Sequence, residues 1–330
     1  MPRNIIPPVI SILVLAFASL ALGQTTPKPA PVSERAEKTL SRAVVRISAT
    51  VEGQTNPMEA TGFVVTVPDD REPGLLFPYL VTNRHVAAAI FPDPDGTPRP
   101  HKILEMNAFF NLKQPVDGTR SHAIALPPKG EGLWYLPTDP SVDLAIISIA
   151  IDNTYDVAFI GPNLFLTPDV WDKYRIVPGD KLLTCGFFLH YAGSHQFQPI
   201  LREGSLAMVP DDVMPVPIGG SAKVYLADLH IIRGNSGSPL FLAPSFTLGG
   251  YVYGSDGGLP YGLLGVVSGY MWEDNQLTLH AATDYEGTLH GNSGIAMVVP
   301  VEQLKNLLYR ADLQASRDNT VARDKANAPH

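Results

Sequence analysis

A chain of 330 residues, 45% of them hydrophobic and 17% charged, is large enough to bury a full core as one or two domains. Its formal net charge of −8 excludes the basic field that a nucleic-acid binder presents, and no polybasic or RNA-binding motif occurs. The single cysteine, Cys185, excludes an intramolecular disulfide and a cysteine-based zinc site, and the histidines include no H-E-x-x-H pattern, so no metal or organic cofactor is implied.

At the N-terminus, Arg3 supplies a positive region, Val9 to Leu22 an apolar one, and Ala21-Leu22-Gly23 the small residues a signal peptidase reads. Residues 1–23 are therefore expected to be a signal peptide cleaved after Gly23, and the protein to be exported, periplasmic or extracellular. A retained signal anchor is the competing reading, but an apolar run of about fourteen residues is short for a span of about twenty. No other segment is long and apolar enough to span, so no stable membrane insertion is expected once the signal is removed. Residues 24–33 read as a Pro-rich tether, and Glu34 to Leu40 as a short helix opening a domain that runs to residue 313.

Strand-like runs with Gly and Pro punctuation follow at 43–50, 60–67, 77–82, 103–110, 133–136, 143–150, 181–188, 200–209, 223–227, 239–243, 263–270, 278–282 and 294–299. Many short strands with such turns mean an all-β sandwich or barrel. Cys185 lies within one of these runs and reads as a buried structural thiol. Long loops rich in Pro and Gly interrupt the pattern at 91–102, 127–140 and 244–262; the last would either shape substrate access or be a surface insertion. Val301, Leu304, Leu307 and Leu308 are spaced as one face of a helix over 301–310, and the polar tail at 314–330 is expected to be disordered.

The chemistry concentrates in Arg233-Gly234-Asn235-Ser236-Gly237-Ser238, a serine between glycines on a turn that feeds an apolar strand. Ser236 is the candidate nucleophile, and a serine needs a base, a group orienting that base, and donors for the oxyanion. His85, where the apolar run Tyr79-Leu80-Val81-Thr82 ends, is the candidate base. Asp143, just before Leu144-Ala145-Ile146-Ile147, is the candidate orienting carboxylate, since an acid entering a core needs a partner. The backbone N–H groups of Gly234 and Ser236 are the candidate oxyanion hole, Gly234 because a residue without Cβ can turn its N–H toward the carbonyl. Gly291-Asn292-Ser293-Gly294 repeats the tetrapeptide, but only one strand and a helix follow it, so Ser293 reads as a turn residue.

The order His85, Asp143, Ser236 is the chymotrypsin-type order. With it, Ala43-Val44-Val45-Arg46-Ile47 and Thr61-Gly62-Phe63-Val64-Val65, Leu80 to Val86, Asp143 to Ile147, Asp228 with Gly234 to Gly237, and Gly294 to Pro300 resemble, in sequence, the motifs of trypsin-like serine proteases of the bacterial HtrA (Deg) type. The resemblance implies a chymotrypsin-like pair of six-stranded antiparallel β-barrels with a C-terminal helix, His85 and Asp143 on the first barrel and Ser236 on the second. It also implies polypeptide substrates bound by His230, Ile231, Ser268, Gly269 and Tyr270, His230 favouring an acidic side chain or the neighbouring isoleucines a small apolar one. Ser238 departs from the family's usual glycine, and the residues after the closing helix leave no room for the PDZ domain that many members carry.

Asn235 stands where digestive enzymes of this type have the aspartate that pairs with a new N-terminal amine, so activation by such a cut is not expected. The expected function is an exported serine endopeptidase; the alternative is a catalytically silent protease-like chaperone or scaffold. A lipase or esterase is disfavoured, because Ser238 breaks the G-x-S-x-G elbow and the histidine comes first.

Overall fold

The computed structural model describes residues 39–127, 134–174, 176–188, 191, 193, 196–243, 246–248, 251–253, 262–279 and 285–327. The expected signal peptide, the tether and residues 34–38 lie outside them, as do parts of the loops 127–140 and 244–262.

Twelve main strands fall into two sets of six. The first set is β1 (Val44–Val51), β2 (Met58–Pro68), β3 (Leu76–Thr82), then, after a single turn of helix α1 (Arg84–Ala87), β4 (Ile103–Val116), β5 (Thr119–Ala125) and β6 (Ala145–Ser148). These form an antiparallel sheet in the order β5-β4-β1-β2-β3-β6. The second set is β7 (Lys181–Gly186), β8 (Ile200–Met208), β9 (Tyr225–Asp228), β10 (Pro239–Leu242), β11 (Gly262–Leu279) and β12 (Tyr285–Pro300). They close into a barrel, β8-β9-β12-β11-β10-β7.

Period-two alternation sorts the side chains between cores. On β3, Tyr79 and Val81 face one cluster while Leu80 faces another; on β2, Phe63 and Val65 part in the same way from Val64. Leu80, Val64, Ile47, Met106 and Phe110 fill the inside of the first sheet. Leu182, Leu206, Leu240, Leu264 and Val298 fill the barrel. The other faces meet in a third cluster, where Phe63, Tyr79 and Ile146 of the first sheet pack with Phe187, Phe241 and Val266 of the second set. Two sheets that each bury one face inward and one against the other leave β2 buried along most of its length. Cys185 belongs to this shared cluster, fully buried, and burial pushes its thiol up to about 12. It is structural, as expected.

The strand reading departs from the structure in two places. The run 133–136 is reduced to a bridge between Tyr135 and Ile146. The runs 263–270 and 294–299 are the bases of a hairpin that continues to Leu279 and Tyr285, through the polar stretch Trp272-Glu273-Asp274-Asn275-Gln276, which alternation could not reveal; of the expected run 278–282, Thr278 and Leu279 end β11, and 280–282 lie outside the described residues. Of the loop 244–262, Phe246–Leu248 and Tyr251–Tyr253 form a short antiparallel pair.

After the expected helix, α2 (Val301–Leu308), residues 314–327 of the tail expected to be disordered lie instead in helix α3 (Ala311–Asn327), and 328–330 lie outside the described residues. Leu313, Arg317 and Val321, one stripe at four-residue spacing, are buried. Arg317 carries the dock, donating to the Tyr79 hydroxyl (3.1 Å) and the Leu308 carbonyl (2.9 Å), with its guanidinium 6.0 Å from the Tyr309 ring. A stripe with one arginine in three positions scores as polar in sequence, yet its aliphatic stem packs and its head is paired.

Candidate active site

His85 stands on α1, directly after β3 delivers Thr82 and Asn83 into the interior. Asn83 has the extended backbone of an N-cap but caps nothing; its amide donates instead to the Asp143 carbonyl at 2.9 Å. That bond ties the end of β3 to the residue entering β6. The Asp143 side chain, 3% exposed, then receives two bonds from one residue: the His85 backbone N–H on Oδ1 at 2.9 Å and the imidazole Nδ1 on Oδ2 at 2.7 Å. A third donor, Ser268 Oγ, reaches Oδ2 at 2.5 Å. Burial pushes this carboxyl up, but the adjacent His85 charge and the hydrogen bonds from His85 and Ser268 outweigh it and hold the group below the ordinary carboxylate range. An ionised Asp143 fixes the proton on Nδ1 and leaves Nε2 free as an acceptor.

Ser268 comes from β11, where the register against β12 shifts between Val267 and Gly269. The resulting bulge takes Ser268 out of the ladder and aims it at the first sheet. Its carbonyl accepts from Ser236 Oγ at 3.3 Å. His85, Asp143 and Ser236 are thus joined through Ser268 into one hydrogen-bonded chain. The Ser236 hydroxyl makes no bond to His85 here; it is turned toward the Ser268 carbonyl.

Ser236 rides on a turn whose geometry follows from its neighbours. The Asn235 N–H closes the four-residue turn onto the Ile232 carbonyl at 3.0 Å, and Gly234 in its third position has φ +96°. This is a type II turn, which needs a positive φ there and which faces the Arg233–Gly234 peptide the opposite way from a type I turn. The Asn235 side chain, 1% exposed, locks it: Oδ1 accepts from the Ile232 N–H (3.0 Å) and Nδ2 donates to the Phe187 carbonyl (3.2 Å). A neutral amide uses both its donor and its acceptor without an outside charge. The N–H groups of Gly234 and Ser236 have no hydrogen-bond partner among the described residues. They are the pair expected of an oxyanion hole.

The other side of the turn is pinned by Thr61 of β2. Its N–H donates to the Ser236 carbonyl (2.9 Å) and its hydroxyl to the Gly234 carbonyl (2.6 Å), while the same oxygen accepts from the Phe187 N–H (3.1 Å). Thr61 and Asn83 lie within segments that resemble the family's motifs, but nothing in those segments assigns either residue a role. The available signal was chemical, since a hydroxyl and an amide inside apolar strands must find partners.

The residues expected to bind substrate are dispersed. Ser268 serves Asp143 rather than standing only on a pocket wall. The Ile231 side chain, 1% exposed, belongs to the barrel core, on the segment that leads from β9 to the nucleophile turn. His230 is exposed, while Gly269 and Tyr270 are half-buried, the Tyr270 ring meeting Trp272 edge-on at 4.7 Å. Ser293 is committed elsewhere, its hydroxyl donating to the Met271 carbonyl at 2.8 Å and accepting from the Ile295 N–H at 3.2 Å. Among the described residues no group of His, Cys, Asp and Glu is arranged to hold a metal ion, and no helix is long and apolar enough to cross a membrane.

No protein-family model matches the sequence, and no curated protein matches it. Among solved structures the chain is similar to Deg5, at 17% identity and a TM-score of 0.44, over 84% of this chain and 94% of that one. It is also similar to the active form of the Rv3671c protease from M. tuberculosis, at 18% identity and 0.43, over 90% and 93%. The MamO protease domain from Magnetospirillum magneticum follows at 15% and 0.43, over 81% and 96%. At these identities and scores no reaction, substrate or partner passes from those proteins to this chain.

Proposed function

We propose that the chain is an exported serine endopeptidase working through His85, Asp143 and Ser236. The observation that carries this reading is the buried Asp143 carboxylate, which holds both the backbone and the imidazole of His85 while Ser268 links it to Ser236. Rotation of the Ser236 side chain about Cα–Cβ turns the hydroxyl from Ser268 toward His85 Nε2, which takes its proton as Oγ attacks a peptide carbonyl. Asp143 keeps the tautomer and stabilises the imidazolium as it forms. The carbonyl oxygen, now an oxyanion, is met by the N–H groups of Gly234 and Ser236; each such donor accounts for roughly 10²–10³ in rate. The imidazolium then protonates the leaving amine, and water hydrolyses the acyl-enzyme by the same steps in reverse roles. No metal or organic cofactor enters. Export is read from the leader at residues 1–23, and cleaved polypeptides are the partners this chemistry requires.

The Ser236 hydroxyl turned to the Ser268 carbonyl favours a second reading, a protease-like chaperone or scaffold that binds unfolded chains without cleaving them. A fluorophosphonate probe decides between the two. Covalent labelling mapped to Ser236, with cleavage of casein, is expected; an intact protein that neither labels nor cleaves would establish the silent reading.

A further inference from the structure

Resting on the serine-hydrolase reading, we propose that Thr61 is a positioning residue of the oxyanion turn, its hydroxyl holding the Gly234 and Ser236 N–H groups toward the substrate carbonyl. Thr61 is 0% exposed and belongs to the first sheet, so it touches no substrate and acts only through the backbone of the nucleophile turn.

The plane between Gly234 and Asn235 is held at both ends: its carbonyl receives the Thr61 hydroxyl at 2.6 Å and its N–H goes to Ile232 at 3.0 Å. The plane between Ser236 and Gly237 is held likewise, its carbonyl receiving the Thr61 N–H at 2.9 Å and its N–H going to Val267 at 2.8 Å. Of the two planes that carry the unpartnered N–H groups, 235–236 is also held by its carbonyl, which accepts from the Ser238 N–H at 3.0 Å, while 233–234, which carries the Gly234 N–H, is oriented through the clamped 234–235 plane beside it. One residue on the opposite sheet therefore supplies a bond to each clamp. The same hydroxyl accepts from the Phe187 N–H at 3.1 Å, and Phe187 in turn accepts from Asn235 Nδ2, so the far side of the turn is referred to the same oxygen. The Thr61 carbonyl closes the circuit by accepting from Thr82 Oγ1 at 2.9 Å, three residues before His85. Base and oxyanion donors thus share one reference point.

Without the hydroxyl, the Gly234 carbonyl and the Phe187 N–H lie buried and unpaired, a cost the turn relieves by rotating the 234–235 peptide. That rotation carries the neighbouring N–H groups with it. The effect must appear in kcat, where the oxyanion forms, and not in the His85–Asp143 pair.

The test compares Thr61→Ser, Thr61→Ala and the isosteric Thr61→Val in the full chain, by kcat and KM on a peptide substrate and by end-point titration of Ser236 with a fluorophosphonate. Thr61→Ser is expected to stay within about 3-fold of wild type, and Thr61→Ala and Thr61→Val to lose about 10- to 100-fold in kcat per titrated site. KM and the midpoint of the acid limb of kcat/KM stay where they are. Equal kcat per site for the Ser and Ala variants overturns the proposal, as does a loss lying wholly in the titratable fraction, which is the mark of a structural role. Should Thr61→Val fail to fold, the Ser and Ala pair, which differ only in the oxygen, gives the answer. A wild type that neither labels nor hydrolyses overturns the hydrolase reading itself, and this proposal with it.

Discussion

The tetrapeptide Gly-Asn-Ser-Gly occurs twice, at 234–237 and at 291–294, and the two copies make different structures. In the first, Asn235 braces a type II turn, the serine hydroxyl is held by one long bond, and Thr61 approaches from the opposite sheet. In the second, Asn292 donates to the Ile231 carbonyl at 2.7 Å and accepts from Gly294, while the Ser293 hydroxyl is both donor and acceptor within the hairpin. Local sequence offers the same groups twice. What separates a candidate nucleophile from a structural serine is whether the hydroxyl is left available and whether a buried carboxylate stands behind it.

Serine to alanine at the two copies gives the widest separation. Ser236→Ala is expected to lower kcat on the order of 10⁶-fold, by the scale of nucleophile removal in serine hydrolases. Ser293→Ala is expected to keep kcat and to cost about 1 kcal/mol in urea unfolding, for its two hydrogen bonds. Comparable peptidase activity in both variants would dissolve the distinction.

The carboxylate behind Ser236 has no counterpart among the bonds of Ser293, and Asp143→Asn removes it. The expected loss in kcat is on the order of 10⁴-fold, the imidazole tautomer no longer being fixed. Asp143 also links stability to pH. Its folded pKa lies below the unfolded value, so its contribution is fully present above about pH 4 and disappears as pH falls through the lower folded value. Urea unfolding of wild type and Asp143→Asn should therefore converge in acid; a difference that holds constant with pH would contradict the assignment.

The closing glycines are a matched pair, with φ +85° at Gly237 and +82° at Gly294. A Cβ at 294 meets nothing within 4 Å, whereas at 237 it would stand 2.0 Å from the Thr61 carbonyl. Gly294→Ala is expected to cost about 1–2 kcal/mol, the strain of the left-handed backbone alone. Gly237→Ala should cost at least about 2 kcal/mol more and abolish Ser236 labelling, because β2 and the turn cannot both keep their places. Equal thermal shifts at the two sites would show that the approach of β2 is not as close as described.

Asparagine to aspartate divides the copies by burial and pH. Asn235→Asp places a carboxylate against the Phe187 carbonyl where the amide now donates, at an expected cost of about 2–4 kcal/mol at neutral pH. Burial favours the neutral acid, so the deficit should shrink as pH falls below the raised pKa. Asn292→Asp, half-buried, should lose about 1–2 kcal/mol with a weaker pH trend. If Asn235→Asp became stable and active only after a cut freed an N-terminal amine, the neutral brace would have been misread.

The smallest expected effect lies one residue beyond the first copy. Ser238 Oγ is buried and has no partner among the described residues, beside the bare Gly186. Ser238→Ala should leave stability unchanged or raise it by up to about 1 kcal/mol, since it removes only an unpaired hydroxyl. A loss beyond that, in urea unfolding, would mean that the oxygen has a partner such as a bound water.

Much of the fold was legible because alternation is a local signal. Tyr79, Leu80 and Val81 announce a strand with two buried faces, and Val301 to Leu308 announce a helix. Helix α3 was not, since Arg317 reads as solvent-facing until Tyr79 and the Leu308 carbonyl are beside it. The hairpin β11–β12 was hidden for a related reason. Its middle pairs through the backbone, with Trp272, Glu273 and Asp274 all exposed, so no hydrophobic period joins the run at 263–270 to the one at 278–282.

For the site, the sequence by itself determined the residue types and their order: His85 after a strand, Asp143 before one, and Ser236 between glycines. These follow from bonded geometry, because a turn that exposes a serine and a strand that ends in a histidine are built from adjacent residues. Tertiary structure alone decided that Ser268 serves Asp143, that Ile231 belongs to the core, and that Thr61, 173 residues before Gly234, bonds to its carbonyl. Hydrogen bonds between distant segments depend on which buried donors face which buried acceptors after the sheets pack. No local pattern in the sequence encodes that pairing.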